Sequence, residues 1–242
     1  MRVNLPQIRL QMSFLCLVVI CHIHINAQGT PVSKYLRQAG DYADIYNGRL
    51  ETAYSTIRYK NLPYYRNANY TDATVVYKNN YYPDQKARLD LFKEQLILLA
   101  PDKRYGIILG SPNVKKVSMY DKTFIWLDPP KESELKTGYY MQIFEGEKIH
   151  LFCKEKYSPQ ETVSRNTVII NFDHEIRYYL LYNNRYSSVK NKNSFLKLFP
   201  KYKKQINKFV KDNQLNFKQN PDKSFTSLAI FCEEILNSMN NL

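Results

Sequence analysis

Among the residues able to do chemistry, the run "NFDHEIR" comes first, because Asp173-His174-Glu175 sets an imidazole between two carboxylates. General acid-base work or metal binding would need such groups to converge. Along an extended strand they do the opposite: the two acids project from one face and the histidine from the other. His150 lies in a separate strand-like run, and two remote imidazoles with ordinary acids lack the spacing of a metal site. The chain has no glycine-rich phosphate loop, no G-x-S-x-G elbow and no cysteine in a nucleophile context. Asp90, Asp121, Asp128, Asp173 and Glu175 are carboxylates that folding could pair for glycoside cleavage, yet nothing in their spacing favours it. The expectation is a non-enzyme: no catalytic residue, no metal and no cofactor.

A second concentration of chemistry is basic. The 242-residue chain has a formal net charge of +13, and Val189 to Lys223 alone holds ten lysines against two acids. On a helix starting near Lys201, Lys201, Lys204, Lys208 and Lys211 fall within about 80° of one another. Tyr202, Ile206, Phe209 and Val210 centre on the opposite side, which is the layout of an amphipathic helix resting on a domain. Contact with an anionic membrane surface or an acidic glycan is one reading of the lysine face, and a plain solvated face is the other. Nucleic acid is not expected. The cluster is all lysine, without the guanidinium forks that suit phosphates and base edges, and no helix-turn-helix, zinc or RNA-platform signature accompanies it.

Residues 1–28 read as a secretory leader: Arg2 and Arg9 precede an apolar run from Met12 to Cys21, and a more polar stretch ends in Ala27. The run is short for a bilayer span, which needs roughly 20 apolar residues. Cleavage after Ala27 would remove two arginines and no acid, leaving +11, and would also remove Cys16 and Cys21. Cys153 and Cys232 then remain in an exported, potentially oxidising setting. A disulfide between them and two buried thiols both stand open at this point.

These groups must be positioned by a strand-rich body. The 21 tyrosines and 12 phenylalanines against one tryptophan and seven glycines suit half-wet strands. From about Ala43 to Val189, short runs such as "ARLDLF", "EQLILLA", "YGIILG", "VKKVSMY", "TFIWLD" and "TVIINF" alternate with polar or proline-bearing breaks. Asn79-Asn80, Glu145-Gly146 and Asn183-Asn184 mark three tight hairpins. "SKYLRQAGDYADIY" reads as a short helix near the start. After Val189 the period becomes helical: Asn193 or Ser194 caps "SFLKLF", Pro200 fits the first turn of a lysine-rich helix, and Asn220-Pro221-Asp222 opens a last one. The stripe of that last helix is Phe225, Leu228, Cys232, Ile235 and Met239. Packed on a strand where Cys153 alternates in phase with Ile149 and Leu151, it would bring Cys232 toward Cys153.

The stretches "SSVKNKNSFLKLFPKYKKQINKFVKDNQLNFK", "ARLDLFKEQLILL", "TFIWLD" and "TGYYMQIFEGEKIHLFCK" resemble a group of uncharacterised exported proteins of Bacteroidota-type bacteria. The resemblance implies export and a body-plus-tail layout, and it carries no activity and no functional residues. The fold expected is mainly β with C-terminal α: an antiparallel meander of short strands, forming a curved sheet, roll or barrel-like body, packed with two C-terminal helices. Its parts are a leader at 1–28, the β body at 29–190 and a helical segment at 191–242. The function expected is a binding or structural role in the periplasm or at the outer membrane of a Gram-negative envelope, with an anionic membrane surface, a glycan or another envelope protein as partner. A carrier of an apolar ligand inside a curved sheet, and a glycan-binding or glycan-hydrolysing protein, are the alternatives.

Overall fold

The computed structural model describes residues 31–40, 43–164 and 167–238. An N-terminal helix, α1 (Pro31–Ala39), lies against an antiparallel sheet of eleven strands. The strands are β1 (Arg49–Leu50), β2 (Thr71–Tyr77), β3 (Asn80–Asp90), β4 (Gln95–Leu99), β5 (Gly106–Ile108), β6 (Val114–Met119), β7 (Lys122–Leu127), β8 (Gly138–Glu145), β9 (Ile149–Ser164), β10 (Thr167–Tyr182) and β11 (Arg185–Val189). Three α-helices follow: α2 (Lys192–Leu198), α3 (Lys203–Asp212) and α4 (Pro221–Ser238). The mainly β body with C-terminal helices is the architecture expected, with the sheet curved and not closed.

Strand order is β1-β5-β4-β3-β2-β6-β7-β8-β9-β10-β11, a meander with two jumps, from β1 beside β5 across to β2 and from β5 back to β6 beside β2. Tight turns set the registers. Lys78-Asn79, Tyr120-Asp121 and Asn183-Asn184 all have positive φ at both positions, the geometry of two-residue turns whose twist matches that of the flanking strands. The first of these turns sits one residue earlier than Asn79-Asn80, because Tyr77 pairs with Asn80. The Tyr120-Asp121 turn was not expected, since a bulky tyrosine is a poor signal for the left-handed region. At the β8–β9 connection Glu145 pairs with His150, so this loop is longer than the two residues its Gly146 suggested.

The larger departure is in length. β9 and β10 run 16 residues each and pair without a break from Tyr182↔Ile149 to Thr167↔Ser164, whereas the sequence suggested runs of about five to seven residues. Their outer halves extend past both neighbours, since β8 pairs β9 only as far as Cys153 and β11 pairs β10 only as far as Tyr178. Wet on much of both faces, that outer arm loses the alternation that identifies a strand, so its length is not marked in the sequence.

The sheet bends back on itself. β3 and β9 are five steps apart in strand order, about 24 Å in a flat sheet. Yet Glu94, in the turn after β3, lies 2.5 Å from the Lys154 ammonium on β9 and accepts a 2.7 Å bond from the Tyr139 amide on β8. Lys154 also donates to the Tyr139 carbonyl at 2.9 Å. Gly138 permits the approach: at φ +152 it has no side chain, and a Cβ would stand 2.7 Å from Glu94 and Lys154. Burial pushes the Glu94 carboxyl up and the Lys154 ammonium down, each opposed by its partner.

Two more polar fixtures sit beside this clamp. The Arg88 guanidinium bonds Glu51 at 2.5 Å and the Ala68 carbonyl at 2.7 Å, between the rings of Tyr64 and Tyr70, each 4.5 Å away. Asp90, fully buried, accepts the Phe92 and Lys93 amides and the Tyr54 hydroxyl.

The concave face is filled. Val75, Leu89, Leu98, Val117, Phe124, Met141, Leu151 and Leu180 meet Phe195, Ile206, Phe225, Leu228 and Cys232 of the helical segment in one apolar cluster. α4 is fixed at both ends. Near its start Asp222 accepts the Tyr178 hydroxyl of β10. Towards its end the Glu233 carboxylate receives the amides of Glu147, Lys148 and Ile149 from the β8–β9 turn. Gly146 makes room there, since a Cβ would come within 2.7 Å of that carboxylate. The stripe facing the sheet is Phe225, Leu228, Ala229, Cys232 and Leu236, with Ile235 only half-buried, and Met239 lies outside the described residues. Asn191, rather than Asn193 or Ser194, caps α2, its side chain accepting from the Ser194 amide.

Truncating Lys154→Ala strands a mostly buried carboxylate at the seam of the curl and is expected to cost about 3–5 kcal/mol. Urea unfolding of the two proteins measures it, and a loss below about 1 kcal/mol would mean that the pair does not hold the seam.

Candidate functional site

The sequence-derived candidates do not assemble into a reaction centre. Asp90 is sealed in the core, Asp121 occupies a hairpin turn, and Asp128 is tied to the Thr137 hydroxyl. Asp173 and Glu175 are neighbours on one face of β10, and Glu175 is gripped by Arg177 through two bonds of 2.7 and 2.8 Å. His174 points to the other face, 3.0 Å from Glu155, with its ring stacked on Tyr157. His150 stacks on Phe152. Among the described residues no group of three potential metal ligands converges, and no helix is long and apolar enough to cross a membrane.

Cys153 and Cys232 are free thiols, both buried. The helix does pack on the expected strand, but the two cysteines sit at different levels along it. Cys153 pairs with Tyr178, which contacts Asp222 and Phe225, while Cys232 adjoins Glu233 at the other fixture. Seven helical residues from Phe225 to Cys232 rise about 10 Å, beyond the roughly 7 Å Cα separation a disulfide tolerates. Burial raises both thiols above their ordinary value, Cys232 to about 12, so neither is a ready nucleophile.

Lys201 lies in the 3-10 turn Pro200–Tyr202, and Lys204, Lys208 and Lys211 lie on α3. All four are exposed, opposite the buried Ile206 and the half-buried Tyr202, Phe209 and Val210, and Lys208 reaches Asp212 at 2.5 Å. Of the tyrosines adjacent in sequence, Tyr64, Tyr65, Tyr82, Tyr139 and Tyr140 are buried in packing, whereas Tyr81 is exposed.

The feature that single-residue reasoning missed is an interrupted sheet edge. The amide and carbonyl of Ile170 point away from β9, to the Arg58 carbonyl at 2.7 Å and the Lys60 amide at 2.9 Å. Those of Phe172 point the same way and are closed by the side chain of Asn61, at 2.6 and 2.8 Å. Because the ladder with β9 is unbroken, His174 and Ile176 must aim their backbone groups outward too. Among the described residues nothing pairs with them short of Tyr178, which lies opposite Val189 at the end of β11. The chain turns away at that point, because Asn191 caps α2.

Where β11 would have continued there is a groove of about 640 Å³. Phe217, Pro221 and Phe225 wall one side, Glu134 and the Glu175–Arg177 pair the other, and Ile176, 48% exposed, lies on the floor with Lys190 at one end. The sequence signal that was available is the change from strand to capped helix at Val189–Asn191, which leaves β11 far shorter than β10. Comparisons of the chain with protein-family models, with curated proteins and with solved structures found no match.

Amide exchange followed residue by residue checks the edge: His174 and Ile176 are expected to exchange at least about tenfold faster than Glu175 and Arg177, which face β9. Thiol titration without reductant is expected to find Cys153 and Cys232 unreactive in the folded protein and both reactive after denaturation. A thiol-silent unfolded chain would indicate a bridge.

Proposed function

We propose that this is an exported, non-enzymatic binding protein of a Gram-negative cell envelope, and that it recognises an extended segment of a partner protein by strand addition at the open edge of β10. The observation that carries the reading is the pair of outward-facing backbone positions, His174 and Ile176, framed by Asn61 on one side and β11 on the other and opening on the groove. Strand addition takes its affinity from main-chain bonds and its selectivity from alternate side-chain pockets, and both are present here. The filled concave face favours this over a carrier, which needs a hollow of about 300 Å³ or more within the sheet, since the groove lies at the sheet's edge. The dispersed carboxylates weigh against glycan hydrolysis. Export rests on the leader-like pattern of residues 1–28 and on the resemblance to exported proteins.

Displayed libraries of short random peptides are expected to yield binders that slow exchange at the His174 and Ile176 amides. Binders that leave those amides untouched would overturn the strand-addition reading. Sequencing the amino terminus of the protein recovered from fractionated cells is expected to begin at Gln28, and cytosolic protein retaining Met1 would overturn export.

A further inference from the structure

The same groove specifies the chemistry of its occupant, an inference that rests on the strand-addition reading. A strand laid beside β10 on the line of β11 meets two different walls, one for each side-chain row. One row faces Phe217, Pro221 and Phe225. The half-buried Phe217, its ring 5.0 Å from that of the fully buried Phe225, forms the accessible part of this wall with the half-buried Pro221, so the wall receives an apolar side chain. The free stretch is short, from Phe172 to Tyr178, and suits about four added residues, or roughly 13 Å.

Charge decides the rest. The carboxylates around the groove are already engaged: Glu175 by Arg177, Glu134 by the Ser188 amide and Asp222 by the Tyr178 hydroxyl. Three lysines around it are not held in this way. Lys190 lines the groove, Lys218 follows Phe217, and Lys223 lies two residues beyond Pro221; all three are exposed, and none forms an ion pair among the described residues. They belong to the Val189–Lys223 stretch of ten lysines and two acids. A positive potential of that size steers an oppositely charged partner and rejects a like-charged one. We infer that the occupant is an acidic extended segment of a partner protein, with an apolar side chain seated against Phe217, Pro221 and Ile176 and flanking carboxylates reaching Lys190, Lys218 and Lys223.

The test uses the full chain and two synthetic peptides, one alternating valine with glutamate and one with lysine in place of each glutamate. The acidic peptide is expected to slow amide exchange at His174 and Ile176, to bind at least about tenfold more tightly than the basic one, and to lose that advantage as salt rises. The exposed triple substitution Lys190→Glu, Lys218→Glu, Lys223→Glu is expected to reverse the preference while leaving the thermal unfolding temperature nearly unchanged. Equal binding of both peptides at the edge would overturn the acidic assignment and leave strand addition standing. If neither peptide protected the edge amides, both readings would fall. Retention on anionic vesicles that the triple substitution abolishes, without edge protection by the acidic peptide, would assign the lysines to a membrane surface instead.

Discussion

Lys154 on β9 and Glu94 in the turn after β3 meet across a sheet that, laid flat, would hold β3 and β9 about 24 Å apart. Each group is costly to bury alone, and the pair, with the Tyr139 amide and carbonyl completing its bonds, becomes tolerable only when the sheet curls. The curl makes one face concave, and the concave face must be covered. The C-terminal helices cover it, with Phe225, Leu228 and Cys232 pressed into the hollow that the strands create. The clamp, the filled interior and the docked tail are therefore one arrangement.

The clamp also explains why the interesting surface lies at an edge. With its interior occupied, the body offers little room for a ligand within. β9 and β10 extend beyond the strands beside them, and the segment around Tyr59 and Asn61 folds over to close part of the exposed ladder. Phe172 is sheltered there among Tyr54, Tyr59 and Phe92. Between that cover and β11 the backbone of His174 and Ile176 stays open. Natural sheets usually blunt such edges with charge; here the Glu175–Arg177 pair lies on one side and an apolar wall on the other. That asymmetry is the feature on which the proposed strand addition rests.

Much of the body was legible in the chain. Alternating apolar runs, asparagine-bearing turns and the Asn220-Pro221-Asp222 start are local signals, and Asn183-Asn184 and α4 appear where those signals put them. The misplaced features share one cause, because each depends on partners distant in sequence. The outer arm lacks a period, since both of its faces meet water or a covering loop, so no alternation marks it. Tyr120-Asp121 turns because Met119 and Lys122 are already paired, and nothing local requires it. Cys153 and Cys232 have compatible phases, but phase fixes a face and leaves the level along the helix open; Asp222 and Glu233, held at opposite ends of α4, decide that level.

Taken by itself, the sequence determined the class of fold, the helical tail, the exposed lysine face and the lack of any familiar catalytic pattern, because these follow from short-range periodicity, capping and composition. Tertiary structure alone decided the curl, the separation of the thiols and the open stretch of β10. All three come from side chains and strand ends brought together across tens of residues, and no local pattern records where a strand's neighbour stops.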